Sequence, residues 1–207
     1  MLPYDSITKE RNILTAAWKW RGEKKANSVA INHKTPADDK QIVKTLIRLF
    51  NEADQVVAHY GDRFDNRYLR TRALFHGFPP LPNVQQIDTY KICKDRFLLN
   101  SNRLDYLGQF LGIGRKIKTD KKLWDDCMAG NKRAIREMRD YNEQDVHLLG
   151  DIYEKIAPHS TLKYKIIKEN PRCGNCGGML ISQGTRMKAN GEKYSRYQCR
   201  VCGKWSK

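Results

Sequence analysis

The residues best suited to chemistry are Asp65, Tyr141 and Asp145, together with four cysteines, Cys173, Cys176, Cys199 and Cys202. Asp65 closes the stretch 55–65, which starts as an apolar β-branched run and ends in a turn around Gly61. A carboxylate there stands at the carboxyl end of a strand, where open α/β sheets gather ligands, and in the first turn of the next helix. Plain helix capping by Asp62 and Asp65 fits the same positions, so placement alone leaves both roles open. Asp145 belongs to a long helical run, about 132–156, in which Met138, Tyr141, Asp145, Leu148 or Leu149, Ile152 and Ile156 recur at steps of three and four. An acid on that apolar face costs on the order of several kcal/mol if nothing neutralises it. A metal ion would remove the cost, and so would a Lys or Arg partner. Tyr141 lies one turn before Asp145 on the same side, so hydroxyl and carboxylate can aim at one point.

The cysteines form two Cys-x-x-Cys pairs, 173–176 and 199–202, with 22 residues between them. That spacing predicts a zinc ribbon with four thiolate ligands and no open coordination position, hence a structural rather than catalytic ion. Gly178 and Gly203 suit the tight turns of the knuckles, and residues 179–182 and 193–198 are expected to pair as a hairpin. So small a module depends on its metal for stability. Residues 158–207 hold eleven Lys or Arg against two acids. Arg196, Tyr197, Arg200 and Trp205 interleave charge with aromatic surface, which suits phosphate contact with base stacking; a solvated basic hairpin is the alternative. Cys93 and Cys127 lack a partner motif and are expected to be ordinary half-buried thiols.

Several elements must hold these groups in place. Strands are predicted over 13–20 and 28–31, joined by a polar turn. Thr35-Pro36 signals a helix start with Pro in the first turn, followed by Ile42, Leu46, Leu49 and Phe50 on one face. The strand at 55 comes next, then a helix ended by Gly77, a stiff Pro79–Pro82 connector and a short strand 84–87 ending at Asp88. Ser101 opens a further helix through Leu111. Strand–helix alternation gives an α/β domain with a mixed sheet over 1–157, a linker over 158–169 and a small β module over 170–207.

The 207-residue chain is 40% hydrophobic, enough for a real core. No apolar run approaches the roughly 18 residues of a membrane span, and the first residues lack a signal-peptide layout, so an intracellular (cytoplasmic) protein is expected. A net charge of +16 points to a polyanionic partner, nucleic acid above all.

Asp65 in the run His59–Asp65, taken with Tyr141-x-x-x-Asp145, resembles the second and third exonuclease motifs of the DEDD superfamily, the ribonuclease H-like 3′-to-5′ exonucleases. The tyrosine form of the third motif is similar to that of family-B DNA polymerase proofreading domains. The stretch 103–112, followed by 116–120, resembles the segment between those motifs, so the likeness covers 13–157. It implies a ribonuclease H-like mixed sheet flanked by helices. It also implies two Mg²⁺ or Mn²⁺ ions about 4 Å apart. Asp65 and Asp145 would be metal or metal-water ligands, Tyr141 would orient the attacking water, and single-stranded ends, DNA more than RNA, would be the substrate, in company with a replication or repair partner. Two departures stand out. Tyr60 replaces the family's Asn, and no Asp-x-Glu precedes Ile13, so two of four expected carboxylates and a central strand are lacking, with Met1 placed after that strand would have ended. The expectation is therefore a metal-dependent nuclease, impaired as given. The alternative is a non-catalytic zinc-ribbon protein that binds nucleic acid on a remnant nuclease scaffold. A regulatory zinc-ribbon protein unrelated to nucleases is the third possibility.

Overall fold

The computed structural model describes residues 10–160, 173, 175–176, 178–188, 191 and 193–206. In chain order the elements are β1 (Thr15–Trp18), β2 (Asn27–Ala30), α1 (Lys40–Glu52), β3 (Gln55–Ala58), α2 (Asp65–Phe75), β4 (Gln85–Asp88), α3 (Thr89–Arg96), α4 (Leu104–Phe110), α5 (Lys121–Met128), α6 (Lys132–Ile156), β5 (Leu180–Met187), β6 (Lys193–Cys199) and β7 (Trp205–Ser206). Most of the expected linker, from residue 161 onward, lies outside the described residues, as do Met1 to Lys9. Among the described residues no helix is long and apolar enough to cross a membrane.

Helix α6 organises the domain. Asn131 caps it, its side-chain oxygen accepting from the Arg133 and Ala134 amides at 2.9 and 3.3 Å. Its apolar stripe serves two cores. Ile135 and Met138 pack with Leu14, Ile31 and Ile42, while Leu148, Ile152 and Ile156 pack with Ile87, Ile92 and Leu107. Cys93 and Cys127 are fully buried in these cores rather than half-buried, and burial pushes the Cys93 thiol up to about 11.

Strands β1 and β2 pair antiparallel, Thr15 opposite Ala30; β3 and β4 pair parallel, Gln55 opposite Gln85. The expected mixed sheet is thus present as two separate two-stranded halves among the described residues. Pro36 does not open α1. It sits in a turn in which the Asp38 amide donates to Thr35 O at 3.0 Å, and α1 begins at Lys40. The reason is Asp39, whose carboxylate turns inward to Arg72, His76 and the Ile13 amide instead of leaving the chain free to start a helix earlier. The short helices α3 and α5, not expected from the sequence, are each opened by an aspartate: Asp88 accepts from the Tyr90 amide at 3.0 Å and Asp120 from the Leu123 amide at 2.8 Å.

In the C-terminal module β5, β6 and β7 form an antiparallel sheet with an irregularity between Ser182 and Thr185. Strand β7 adds a third member to the expected hairpin. The module docks on the end of α1: the Arg200 guanidinium donates to Ala53 O at 2.7 Å and to Phe50 O. Those are carbonyls that a helix end leaves without partners of its own.

Candidate active site and metal centre

Asp65 is the first residue of α2. The turn that carries it there is tightly specified. Gly61 is required, because a Cβ at that position would lie 2.4 Å from Ala58 Cβ. Tyr60 adopts a left-handed φ of 63°, unusual for a non-glycine residue, and its amide donates to Asp88 Oδ1 at 2.8 Å. Asp65 keeps a solvent-facing edge while protein crowds its carboxylate elsewhere. That crowding, with the nearby charge of Asp88, raises its pKa above the ordinary value, and Lys116 only partly opposes this.

Asp145 projects from α6 toward the same space. Its Oδ2 lies 2.7 Å from Lys116 Nζ, so the basic partner foreseen for this residue is Lys116, in the loop after α4. Its Oδ1 is buried and has no hydrogen-bond partner among the described residues. Lys116 Nζ also sits 5.1 Å over the Tyr141 ring. Burial would lower the lysine's pKa, but its bonds to Asp145 and Tyr141 outweigh this and raise it. Burial raises the Tyr141 phenol, with Lys116 pulling the other way. Asp65, Asp145 and Lys116 line one cavity of about 1670 Å³ that also takes in His59, Tyr60 and Phe64.

Among the described residues, the cysteines are the set of three or more potential ligands close enough to share an ion, and Asp65 and Asp145 belong to no such set. Asp65 and Asp145 each offer a hard oxygen donor of the kind that Mg²⁺ or Mn²⁺ takes. They fall short of the donor set of a two-ion centre.

The four sulfurs lie within 4.8 Å of one another, with Cys173–Cys202 at 3.7 Å and Cys176–Cys199 at 3.5 Å. Tetrahedral zinc with Zn–S bonds of about 2.3 Å sets sulfurs about 3.8 Å apart, so the cluster has the right dimensions. Backbone amides point at the sulfurs, Asn175 N to Cys173 and Val201 N to Cys199, each at 3.4 Å. The Lys204 amide and neighbouring thiols hold Cys202 down at about 6, so it is readily a thiolate.

Of the four residues expected to touch nucleic acid, two form an outward-facing unit: the Arg196 guanidinium lies 3.9 Å over the Trp205 ring, and Trp205 is 47% exposed. Tyr197 packs against Cys173, Leu180 and Cys199 in the small core. Arg200 is engaged with the α1 carbonyls. Sequence reasoning did not single out Lys116, Asp88 or Asp39. Lys116 is one of 39 basic residues, and nothing in its spacing marks it as the partner of Asp145.

The family described as the RNase_H superfamily matches residues 6–157, and the chain belongs to that superfamily. The chain is also similar to a protein named DNA polymerase from Methanocaldococcus jannaschii, 23% identical over 184 residues. That match takes in 77% of this chain and 11% of the polymerase, so the chain spans about a tenth of its relative's length.

Proposed function

We propose that this chain carries part of the active centre of a metal-dependent 3′-to-5′ exonuclease of the tyrosine DEDD subtype, acting on single-stranded DNA ends, and that its C-terminal module is a zinc ribbon that helps hold the nucleic acid. The observation that carries this is the convergence of Asp65, from the start of α2, and Asp145, from the middle of α6, on one cavity, with Asp145 Oδ1 buried and unpartnered among the described residues. Membership of the ribonuclease H superfamily, the polymerase relative and the charge of +16 support nucleic acid as the substrate and a replication or repair setting.

Asp65 and Asp145 would hold the divalent ion, which would polarise a phosphate and lower the pKa of a bound water. Tyr141, over which Lys116 is poised, would orient that water, and Lys116 neutralises Asp145 while no ion is bound. With two carboxylates the site is expected to act weakly. The test is digestion of a 3′-labelled single strand in Mg²⁺ or Mn²⁺ by the 207-residue chain and by a version extended with a strand bearing Asp-x-Glu. The extended protein should release mononucleotides, Asp145→Asn should abolish this, and Tyr141→Phe should slow it without weakening binding. Failure of the extended protein to digest would sink the nuclease assignment. A non-catalytic nucleic-acid-binding role would then stand, and the Lys116–Asp145 ion pair, which already supplies a cation, favours it.

A further inference from the structure

The three strands of the C-terminal module have two faces of opposite character. Alternation along β6 puts Tyr197 and Cys199 on one side, where they pack with Cys173 and Leu180. Tyr194, Arg196 and Gln198 therefore belong to the other side. Register brings neighbours onto that side from both flanking strands: Arg186 of β5 stands opposite Tyr194, Ile181 of β5 opposite Gln198, and Trp205 of β7 also opposite Gln198. The Arg196 guanidinium, 3.9 Å over the Trp205 ring, shows the two sharing this face. Ile181 is buried and bounds the face at one end, while Arg186 and Trp205 are exposed.

The surface so formed is two arginine–aromatic pairs, Arg186 with Tyr194 and Arg196 with Trp205. Trp205 is level with Gln198, so the two rings stand four residues apart along β6, roughly 14 Å. About four nucleotides at the 3.4 Å spacing of a stacked strand cover that length. The described residues of the module include no acid, so none of them repels phosphate from this face. Stacking on the indole holds the Arg196 donors in place beforehand, and less freedom is lost when they meet a phosphate. The rings add what charge alone lacks, a flat apolar surface that accepts any base. A duplex keeps its base faces inside its own stack and would offer this surface only phosphates. An acidic polypeptide would engage the arginines and gain little from the rings.

We infer that the face of β5, β6 and β7 turned away from the thiols is a stacking platform for about four unpaired nucleotides, with bases on Tyr194 and Trp205 and the intervening phosphates on Arg186 and Arg196. The inference rests on the reading of the module as a holder of nucleic acid, and it holds whether or not the helical domain is a nuclease.

The probes are a labelled oligothymidylate of about twelve nucleotides and an abasic strand of the same length and charge, titrated with the full chain as purified, without added Mg²⁺ or Mn²⁺, and followed by fluorescence anisotropy. Oligothymidylate should bind at least about fivefold more tightly than the abasic strand, the low end of what stacking one base gives. Replacing both rings, Tyr194→Leu with Trp205→Leu, should erase that preference, and Trp205→Phe alone should keep it. Arg186→Gln or Arg196→Gln should weaken both strands and lower the salt slope by about 0.7 for the phosphate released. The comparison of two strands on the unaltered chain depends on the folding of no variant, and circular dichroism checks the variants. Equal binding of the two strands by the unaltered chain overturns the proposal, since the module is then a basic surface for any polyanion. A preference that survives loss of both rings overturns it as well, because the stacking then lies elsewhere. Tighter capture of polyglutamate than of oligothymidylate would make the partner an acidic polypeptide and overturn it too. Deleting 158–207 separates this proposal from the reading beneath it. Unchanged binding after the deletion would remove the module as a holder of nucleic acid altogether, whereas weakened binding with no effect of the ring substitutions would remove this face alone.

Discussion

Replacing Asp39 with asparagine should loosen the domain where β1, α1 and α2 meet. Asp39 is fully buried. Its Oδ2 accepts from the Ile13 amide at 2.8 Å and Arg72 Nε at 2.7 Å; its Oδ1 accepts from Arg72 Nη2 at 2.8 Å and meets His76 Nε2 at 2.5 Å. One carboxylate thus ties the β1 edge, the start of α1 and the body of α2, the helix that begins with Asp65. A carboxamide in its place would offer one acceptor oxygen and turn a donor toward groups that also donate. The Arg72 guanidinium, 5% exposed, would remain as a buried charge without its counter-ion. Breaking a buried pair from one side costs about 3–5 kcal/mol. At roughly 2–4 °C per kcal/mol for a chain of this size, Tm should fall by about 6–20 °C. Urea unfolding followed by circular dichroism gives the free energy directly. Combining Asp39→Asn with Arg72→Met should recover part of the loss, because the stranded charge is then gone. A loss below about 1 kcal/mol for Asp39→Asn would refute the buried-pair account. Acid should act in the same direction. Burial by itself would raise the Asp39 pKa, but bonds from Arg72, His76 and the Ile13 amide outweigh it and hold the folded value below 3.8. Its contribution is therefore complete above that pH and is lost as pH falls through the lower folded value, a loss that Asp39→Asn should abolish.

Three further outcomes are expected. Asp65 is held above its ordinary pKa of 3.8, so its ionisation in the fold is unfavourable; Asp65→Asn should stabilise the protein at neutral pH while weakening Mn²⁺ binding, and thermal melts with and without Mn²⁺ would show both or contradict the assignment. Lys116→Met should leave Asp145 without its cation and raise Mn²⁺ affinity in a titration; an unchanged affinity would mean Asp145 is not a ligand. Purified protein should contain one zinc per chain by elemental analysis; chelation should unfold the ribbon and spare the helical domain, and deleting 158–207 should flatten the salt dependence of single-strand binding by about 0.7 in slope for each phosphate no longer neutralised.

Much of the architecture was legible because local pattern fixes it. Helix α6 runs from Lys132 to Ile156, where its apolar stripe places it, and β3, β4 and α2 fall where β-branched runs, Gly61 and Gly77 put them. The two Cys-x-x-Cys pairs specified a four-sulfur cluster outright, since the short spacing within each pair leaves chain geometry only the task of bringing two knuckles together. Asp145 was conspicuous because an acid on an apolar stripe violates the pattern around it.

Other features depend on residues far apart in sequence and leave no local trace. Lys116 meets Asp145 across 29 positions, and Asp39 meets Arg72 across 33. The start of α1 moved from Pro36 to Lys40 because a tertiary ion pair claimed Asp39. Arg200, by composition a phosphate contact, is spent on the carbonyls at the end of α1. The sequence by itself determined the long helix α6, the strands β3 and β4, where four thiols would cluster and which carboxylate stands on a core-facing stripe, since periodicity and turn chemistry act within a few residues. The tertiary structure alone decided which cation neutralises Asp145 and what the carboxylate of Asp39 holds together, because charge pairing is settled only when distant segments pack.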